Sequence, residues 1–298
     1  MRSYTILKLF LLIFFVAVSA NHLKEPFVES QENDGEENNN TVAKDPLRSA
    51  SEHTVAKDLR TNGFVSFKNY LSDTEVATIR RLLMETVEKS ALEFGNIDIK
   101  NGERRDLNLP INSAARSVIH KIYTHLKTVF DEYDPNPVLI EHSCFLNFPG
   151  SHPQNWHRDV EAHDIANSGK LFTIGVALDD ISNEMGALQI LPKSHLNDEI
   201  ADRLNQRDCN QEMAPFCGYF HEEIEHLNWT CKRGDLMVWD SSLLHRSGGN
   251  RSGRMRAIYY FSLLFKTQAI PEGSTHSLLN KYKKKPIYVN RIITPNKK

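Results

Sequence analysis

The sequence predicts an α+β protein, with amphipathic helices first and a jelly-roll (cupin-like) β core after them. Helix-spaced apolar residues fill the segment from Ser72 to Asp131. From Val138 onward the pattern changes to short apolar runs broken by Gly, Pro, Asn and Asp, as expected of a sandwich or barrel. Finally, His157 and His245 are each placed to hold one ion although they lie far apart in the chain. A double-layered jelly roll gathers such distant strand ends at one mouth.

Length and charge set the frame. The 298 residues allow one domain of moderate size plus extensions, and a net charge of −2 with well-mixed signs gives no reason to expect nucleic acid as a partner. At the start, Arg2 and Lys8 precede an apolar run from Leu9 to Val18 and the small residues Ser19 and Ala20. This is the layout of a signal peptide over 1–20, with an uncleaved anchor as the competing reading. The run is short for a membrane span, so no stable span is expected after cleavage. The expected location is the secretory pathway, either the ER lumen or outside the cell, since no Lys-Asp-Glu-Leu-type signal closes the chain.

That location gives other residues a meaning. Asn39, Asn228 and Asn250 each begin an N-x-S/T acceptor, which would make the protein a glycoprotein, although a glycan on Asn250 would crowd the site described below. Cys209, Cys217 and Cys231 cluster in a polar insertion, where one bridge would staple a loop; Cys144 reads as a small buried strand residue. Residues 21–58 are rich in Glu, Asn, Asp and Ser and read as a disordered linker, so order is expected near Leu59 and the folded domain spans 59–298.

Within that domain, Gly63–Phe67 reads as a first strand. Ser72-Asp73-Thr74-Glu75 is a capping box, followed at helical spacing by Val76, Ile79, Leu82, Leu83 and Val87. A second amphipathic helix fits Ser113 to Asp131, with Val118, Ile119, Ile122, Tyr123, Leu126, Val129 and Phe130 on its apolar side. Strands are expected at 138–148, 171–178, 187–191, 227–231, 235–239 and 257–265, with loops 93–111 and 197–226 forming a lid and pocket.

The chemistry sits in His157-Arg158-Asp159, then His245, then Arg256. Two imidazoles and one carboxylate can occupy one face of an octahedral Fe(II) ion and leave three positions open for a co-substrate and O2. In a chain with 13 His and 38 acidic residues, chance supplies about two His-x-acid pairs, so context must decide. His157 and Asp159 lie where a strand-like run ends, and on an extended segment they point the same way while Arg158 points elsewhere. The second match, His221-Glu222-Glu223, lies in the polar insertion without such flanks. His245 arrives in a short turn after the strand ending at Trp239. Arg256 immediately precedes an apolar run and can point inward to pair with a dicarboxylate, whereas Arg246, Arg251 and Arg254 sit in a glycine-rich turn and are expected to meet solvent. Ser247 could add a hydroxyl hydrogen bond to the same carboxylate. His152, His163 and His195 read as structural histidines, His195 bonding locally, and Lys281, Lys283, Lys284 and Lys285 as solvated surface.

Several segments together resemble the phytanoyl-CoA dioxygenase family: Trp156–Asp159, Gly186–His195, and Gly234–Asp240 on through His245 and Arg256. The middle segment resembles the family's N-G-x-L-x-x-x-P-G-S-H signature, with Glu184-Met185 before Gly186 and Lys193 in place of the second glycine. The resemblance covers about residues 59 to 282. It implies a double-stranded β-helix, Fe(II) held by His157, Asp159 and His245, and 2-oxoglutarate anchored by Arg256, with Gln154 near the co-substrate or substrate. It also implies hydroxylation of an unactivated C–H with release of succinate and CO2, with O2 as oxidant and ascorbate as reductant. Related halogenases replace the carboxylate by a small residue; Asp159 is present, which favours hydroxylation. Two other readings stay open on the same scaffold: a non-catalytic binding module, and a cupin-like metal hydrolase or isomerase that needs no 2-oxoglutarate. The substrate, whether small molecule, lipid or peptide, is left undefined, as is the oligomeric state. The chain does not end in a peroxisomal Ser-Lys-Leu address, so phytanoyl-CoA itself is not expected.

Overall fold

The computed structural model describes residues 52–94, 104–160, 169–197, 225–266 and 277–293. The signal peptide, residues 21–51 of the linker, His163, His221, Glu223, Cys209, Cys217 and Asn39 lie outside the described residues.

Order begins earlier than composition suggested. Helix α1 (Glu52–Thr61) takes in the last residues assigned to the linker. Its charged surface masks a short apolar face, Val55, Ala56 and Leu59, which is buried against the core. Strand β1 (Phe64–Phe67) follows, and then helix α2 (Asp73–Phe94), which starts with the expected capping box. The Ser72 backbone N–H donates to Glu75 Oε2 at 2.8 Å, while the Glu75 N–H donates back to Ser72 Oγ at 3.4 Å. Strand β2 (Arg104–Asn108) stands where a loop was expected, because its Arg-Arg-Asp sequence carries no apolar run. The second predicted helix divides at Leu126 into α3 (Ser113–His125), capped by Asn112, and α4 (Lys127–Asp131).

The β core follows the predicted runs closely: β3 (Val138–Asn147), β4 (Lys170–Ala177), β5 (Leu188–Ile190), β6 (Leu227–Trp229), β7 (Leu236–Asp240), β8 (His245–Ser247) and β9 (Arg256–Phe265). A short α5 (Asn280–Lys283), β10 (Ile287–Tyr288) and α6 (Val289–Ile293) follow. The strands form two antiparallel sheets. The major sheet runs β1-β7-β4-β9-β3-β10, with β2 also paired to β3; the minor sheet runs β6-β5-β8.

One face of the major sheet, including Val65, Phe172, Ile174, Val238, Tyr259, Phe261 and Leu263, packs on α1 to α4 in the largest hydrophobic cluster. The alternate residues Phe64, Ala177, Met237, Trp239 and Ile258 pack on the minor sheet with Leu188, Ile190 and Trp229. Burial on both faces explains why β4, β7 and β9 read as nearly continuous apolar runs. It also makes any polar side chain on the inner face conspicuous, and several of those side chains line one cavity.

Among the described residues no helix is long and apolar enough to cross a membrane. Cys144 is buried as expected; Cys231 is a free buried thiol and does not staple the insertion. Asn250 is fully buried and donates its amide to the carbonyls of Asn147 and Arg254, so it cannot carry a glycan in the folded state. His195 bonds across the fold to the Arg60 carbonyl at 3.2 Å, so its partner is not local. Lys281, Lys283, Lys284 and Lys285 are exposed.

Candidate metal centre

The two sheets approach each other where Trp156–Val160 crosses the end of β8. His157 and His245 pair as an isolated antiparallel bridge, with both backbone N–H groups donating to the opposite carbonyl at 3.0 Å. The Asp159 N–H donates to the Ser241 carbonyl at 2.9 Å, so the segment is pinned on both sides of Arg158. Extended geometry then turns His157 and Asp159 inward. Arg158 turns away, and its guanidinium donates to the Ser194 carbonyl at 2.9 Å.

The three side chains converge. One ligand atom from each of His157, Asp159 and His245 lies within 4.8 Å of the other two. His245 Nε2 is 3.4 Å and His157 Nε2 4.0 Å from Asp159 Oδ1. Each histidine points its Nδ1 at a backbone carbonyl at 2.9 Å, Asn155 for His157 and Leu243 for His245. Those carbonyls require a proton on Nδ1, which leaves both Nε2 lone pairs facing the carboxylate. This arrangement is typical of metal-binding histidines. Two imidazoles and one carboxylate on one face suit a first-row divalent ion such as Fe(II) and leave the opposite face open.

Electrostatics reflect the crowding. Burial, reinforced by the neighbouring His245, lowers the His157 pKa. Burial acts against charge on Asp159 and His245 too, but their mutual attraction outweighs it, holding the carboxyl low and the His245 imidazole high.

A cavity of about 200 Å³ opens beside the triad, lined also by Gln154, Ser247, Arg256, Trp239, Thr173, Tyr260, Asp106 and Glu141. All six site residues read from the sequence therefore meet around one space. Gln154 and Ser247 are joined by two hydrogen bonds of 2.9 Å, one between their backbones and one from the Ser247 N–H to Gln154 Oε1. The Ser247 hydroxyl lies 3.4 Å from the Gly186 carbonyl. Arg256 is fully buried; its Nη1 donates to the Gly186 carbonyl, and its Nε finds no acceptor among the described residues. Burial and the nearby Arg104 guanidinium press its pKa down to about 9, so it remains a cation in want of an anion. A carboxylate from a bound keto-diacid supplies what this group lacks.

Arg246 departs from expectation. Instead of meeting solvent it is 2% exposed, donates to Gln189 Oε1 at 2.6 Å and stacks 4.8 Å over the Trp156 ring. It occupies the face of β8 opposite to His245 and Ser247, which Trp156 covers. Arg251 and Arg254 are exposed as expected. His245 begins a strand rather than lying in a turn.

Sequence reasoning missed Arg104, Asp106, Glu141, Thr173, Trp239 and Tyr260. One available signal was parity: Glu141 shares the inward register of Phe145 and Asn147 on β3, which makes it a lone acid on a buried face.

A family model described as phytanoyl-CoA dioxygenase matches residues 59–258. AviO1 from Streptomyces viridochromogenes superposes with a TM-score of 0.52 at 20% identity, covering 75% of this chain and 98% of that one. EvdO2 from Micromonospora carbonacea var. aurantiaca, complexed with 2-oxoglutarate, gives 0.51 at 18% identity, with 76% and 96% covered. The epimerase SnoN from nogalamycin biosynthesis, in complex with Fe3+, alpha ketoglutarate and nogalamycin RO, gives 0.50 at 19%, with 72% and 83% covered. At these identities the likeness establishes a shared fold. A sequence search of curated proteins returns no match.

Proposed function

The chain belongs to the phytanoyl-CoA dioxygenase family, and from that premise we propose that it is an Fe(II)- and 2-oxoglutarate-dependent dioxygenase hydroxylating an unactivated C–H bond. One observation carries the reading: a His-Asp-His triad and a buried, under-partnered arginine face the same cavity. His157, Asp159 and His245 hold the metal. Arg256 takes the far carboxylate of 2-oxoglutarate, assisted by the Ser247 hydroxyl, while Gln154 fixes the strand that carries both Ser247 and His245. Iron supplies C–H oxidation by O2 coupled to conversion of 2-oxoglutarate into succinate and CO2, with ascorbate as reductant. The apolar wall of Leu188, Trp239 and Ile258 excludes water from that reaction.

The N-terminal basic and apolar segments support passage into the secretory pathway as part of the same proposal, with Asn228 a partly exposed acceptor among the described residues. The test of function is anaerobic addition of Fe(II) and 2-oxoglutarate to the full chain. A metal-to-ligand charge-transfer band is expected, and it is lost in His157→Ala and Asp159→Ala. A folded wild-type protein that gives no band refutes the assignment.

A further inference from the structure

The inner face of the major sheet carries a guanidinium end and an acid end. At one end stands Arg256, opposite Asn147 on β3, with Arg104 opposite Asn147 on β2. At the other end, six residues further along β9, Ser262 stands opposite Glu141, a separation of about 20 Å at the usual strand rise. Asp106 on β2 lies between, opposite Phe145. The metal triad reaches the same cavity from the minor-sheet side.

Among the described residues, Glu141 and Asp106 are held only by hydroxyls. Ser262 Oγ donates to Glu141 Oε2 at 2.5 Å, Ser277 Oγ donates to Asp106 Oδ2 at 3.2 Å, and the Tyr260 hydroxyl bonds to Asp106. Among the described residues no lysine, arginine or histidine forms an ion pair with either. Their charged neighbours are acids: each other and Asp159. Burial, aggravated by Asp159, pushes the Glu141 carboxyl up to about 8, and burial raises Asp106 as well. Glu141, enclosed without a counter-ion, opposes folding, while Asp106 stands at the exposed rim of the same cavity; acids so placed in a cleft mark ligand sites.

The cavity is built for occupants on independent grounds. Its lining includes the metal triad and a buried donor with no acceptor among the described residues, Arg256 Nε. A chain of hydroxyls leads from the acid end to the metal ligands: Glu141 to Ser262, Ser262 to Thr173 at 3.0 Å, and Thr173 to Asp159 Oδ2 at 3.4 Å. A group seated on Glu141 therefore lies within one substrate's length of the triad.

We propose that the substrate carries a cationic nitrogen, an amine or guanidinium, which docks between Glu141 and Asp106 at the end of the cavity opposite to Arg256. This rests on the oxygenase reading above and adds the substrate's charge to it. The keto-diacid's far carboxylate would then meet the Arg256 guanidinium, and the substrate's cation would favour loss of the Glu141 proton and pair with the resulting carboxylate; the keto-diacid could not take the acid end without repulsion, nor the cation the arginine end. The apolar stretch between, formed by Phe145, Leu188 and Ile258, accepts the carbon chain.

The test uses the full chain with Fe(II) and 2-oxoglutarate under argon, titrated calorimetrically with n-hexylamine, n-hexanol and hexanoate. The amine is expected to bind at least about tenfold more tightly than the alcohol, with hexanoate weakest. In Glu141→Gln combined with Asp106→Asn the preference is expected to fall to within about twofold while the charge-transfer band persists. Should that double variant not fold, Asp106→Asn alone, at the solvent-facing rim, is expected to reduce the preference about threefold. Equal binding of the three probes, no binding by any of them, or an unchanged preference in the folded variant overturns the inference. The band in the same wild-type sample separates the two claims. Its absence refutes the oxygenase reading, whereas its presence without amine preference refutes only the cationic substrate.

Discussion

Arg256 is a buried cation with fewer partners than its donors require, and the deficit makes its role measurable. Arg256→Met keeps most of the volume and removes the charge. The protein is expected to fold with unchanged or higher stability, while its affinity for 2-oxoglutarate falls about 100-fold, the upper range for hydrogen bonds to a charged group. A titration followed by the charge-transfer band checks this; unchanged affinity would remove Arg256 from the site. Glu141 gives the opposite kind of signal. In the unfolded chain it ionises at the ordinary value of 4.5, but the fold holds its proton up to about 8. Folding therefore takes up a proton in that window, and stability from this residue declines as pH climbs from about 4.5 to 8, then levels off. Glu141→Gln abolishes the decline. Its melting temperature is expected to match the wild type near pH 4.5 and to exceed it at pH 8.5, by thermal melts at both. An equal gap at the two values would show that Glu141 is not held protonated by burial.

Among the elements, the turn before β5 links packing to the site most tightly. Gly186 sits at φ 75°, and a Cβ there would meet the Gly248 carbonyl oxygen at 2.3 Å. Its own carbonyl receives Arg256 and Ser247. Gly186→Ala is expected to destabilise the fold by roughly 1–3 kcal/mol and to weaken 2-oxoglutarate binding too, because the carbonyl that seats the guanidinium must move. Denaturant melts and the same titration read both effects, and loss of stability without loss of affinity would uncouple them. Elements of this core were legible in the sequence when packing marked them with an apolar run: β3, β4, β7 and β9 on the major sheet, and the triad because extended geometry fixes what His157 and Asp159 face. Elements defined by position rather than composition were not legible. The β2 strand is half-exposed and polar, with Asp106 lining the cavity, β8 has only three residues, and α1 buries an apolar face too narrow to outweigh its charges. Asp106 and Glu141 went unseen for the same reason, since a lone acid acquires meaning only when register shows what it faces.

At the scale of the molecule, the major sheet lies between a helical layer and the minor sheet, and its strands pair segments far apart in the chain: Val138 with Leu264, Asn147 with Arg256. Such topology places most of the entropy loss before the reward, and folds slowly. The segments that carry the triad meet through a few bonds only, at His157 with His245, Gln154 with Ser247 and Asp159 with Ser241. So few bonds between strand ends give too little contact to form before the sheets they join, so these side chains are expected to come together only after the barrier to folding has been crossed. A bound ion should then change how long the native state lasts but not how fast it is reached. In stopped-flow experiments with redox-inert Zn(II), the unfolding rate is expected to drop about tenfold while the refolding rate stays within about twofold. Faster refolding with the ion present would mean that the mouth of the barrel is where the chain begins to organise. With the expected result, loss of metal would shorten the protein's lifetime and leave its assembly untouched.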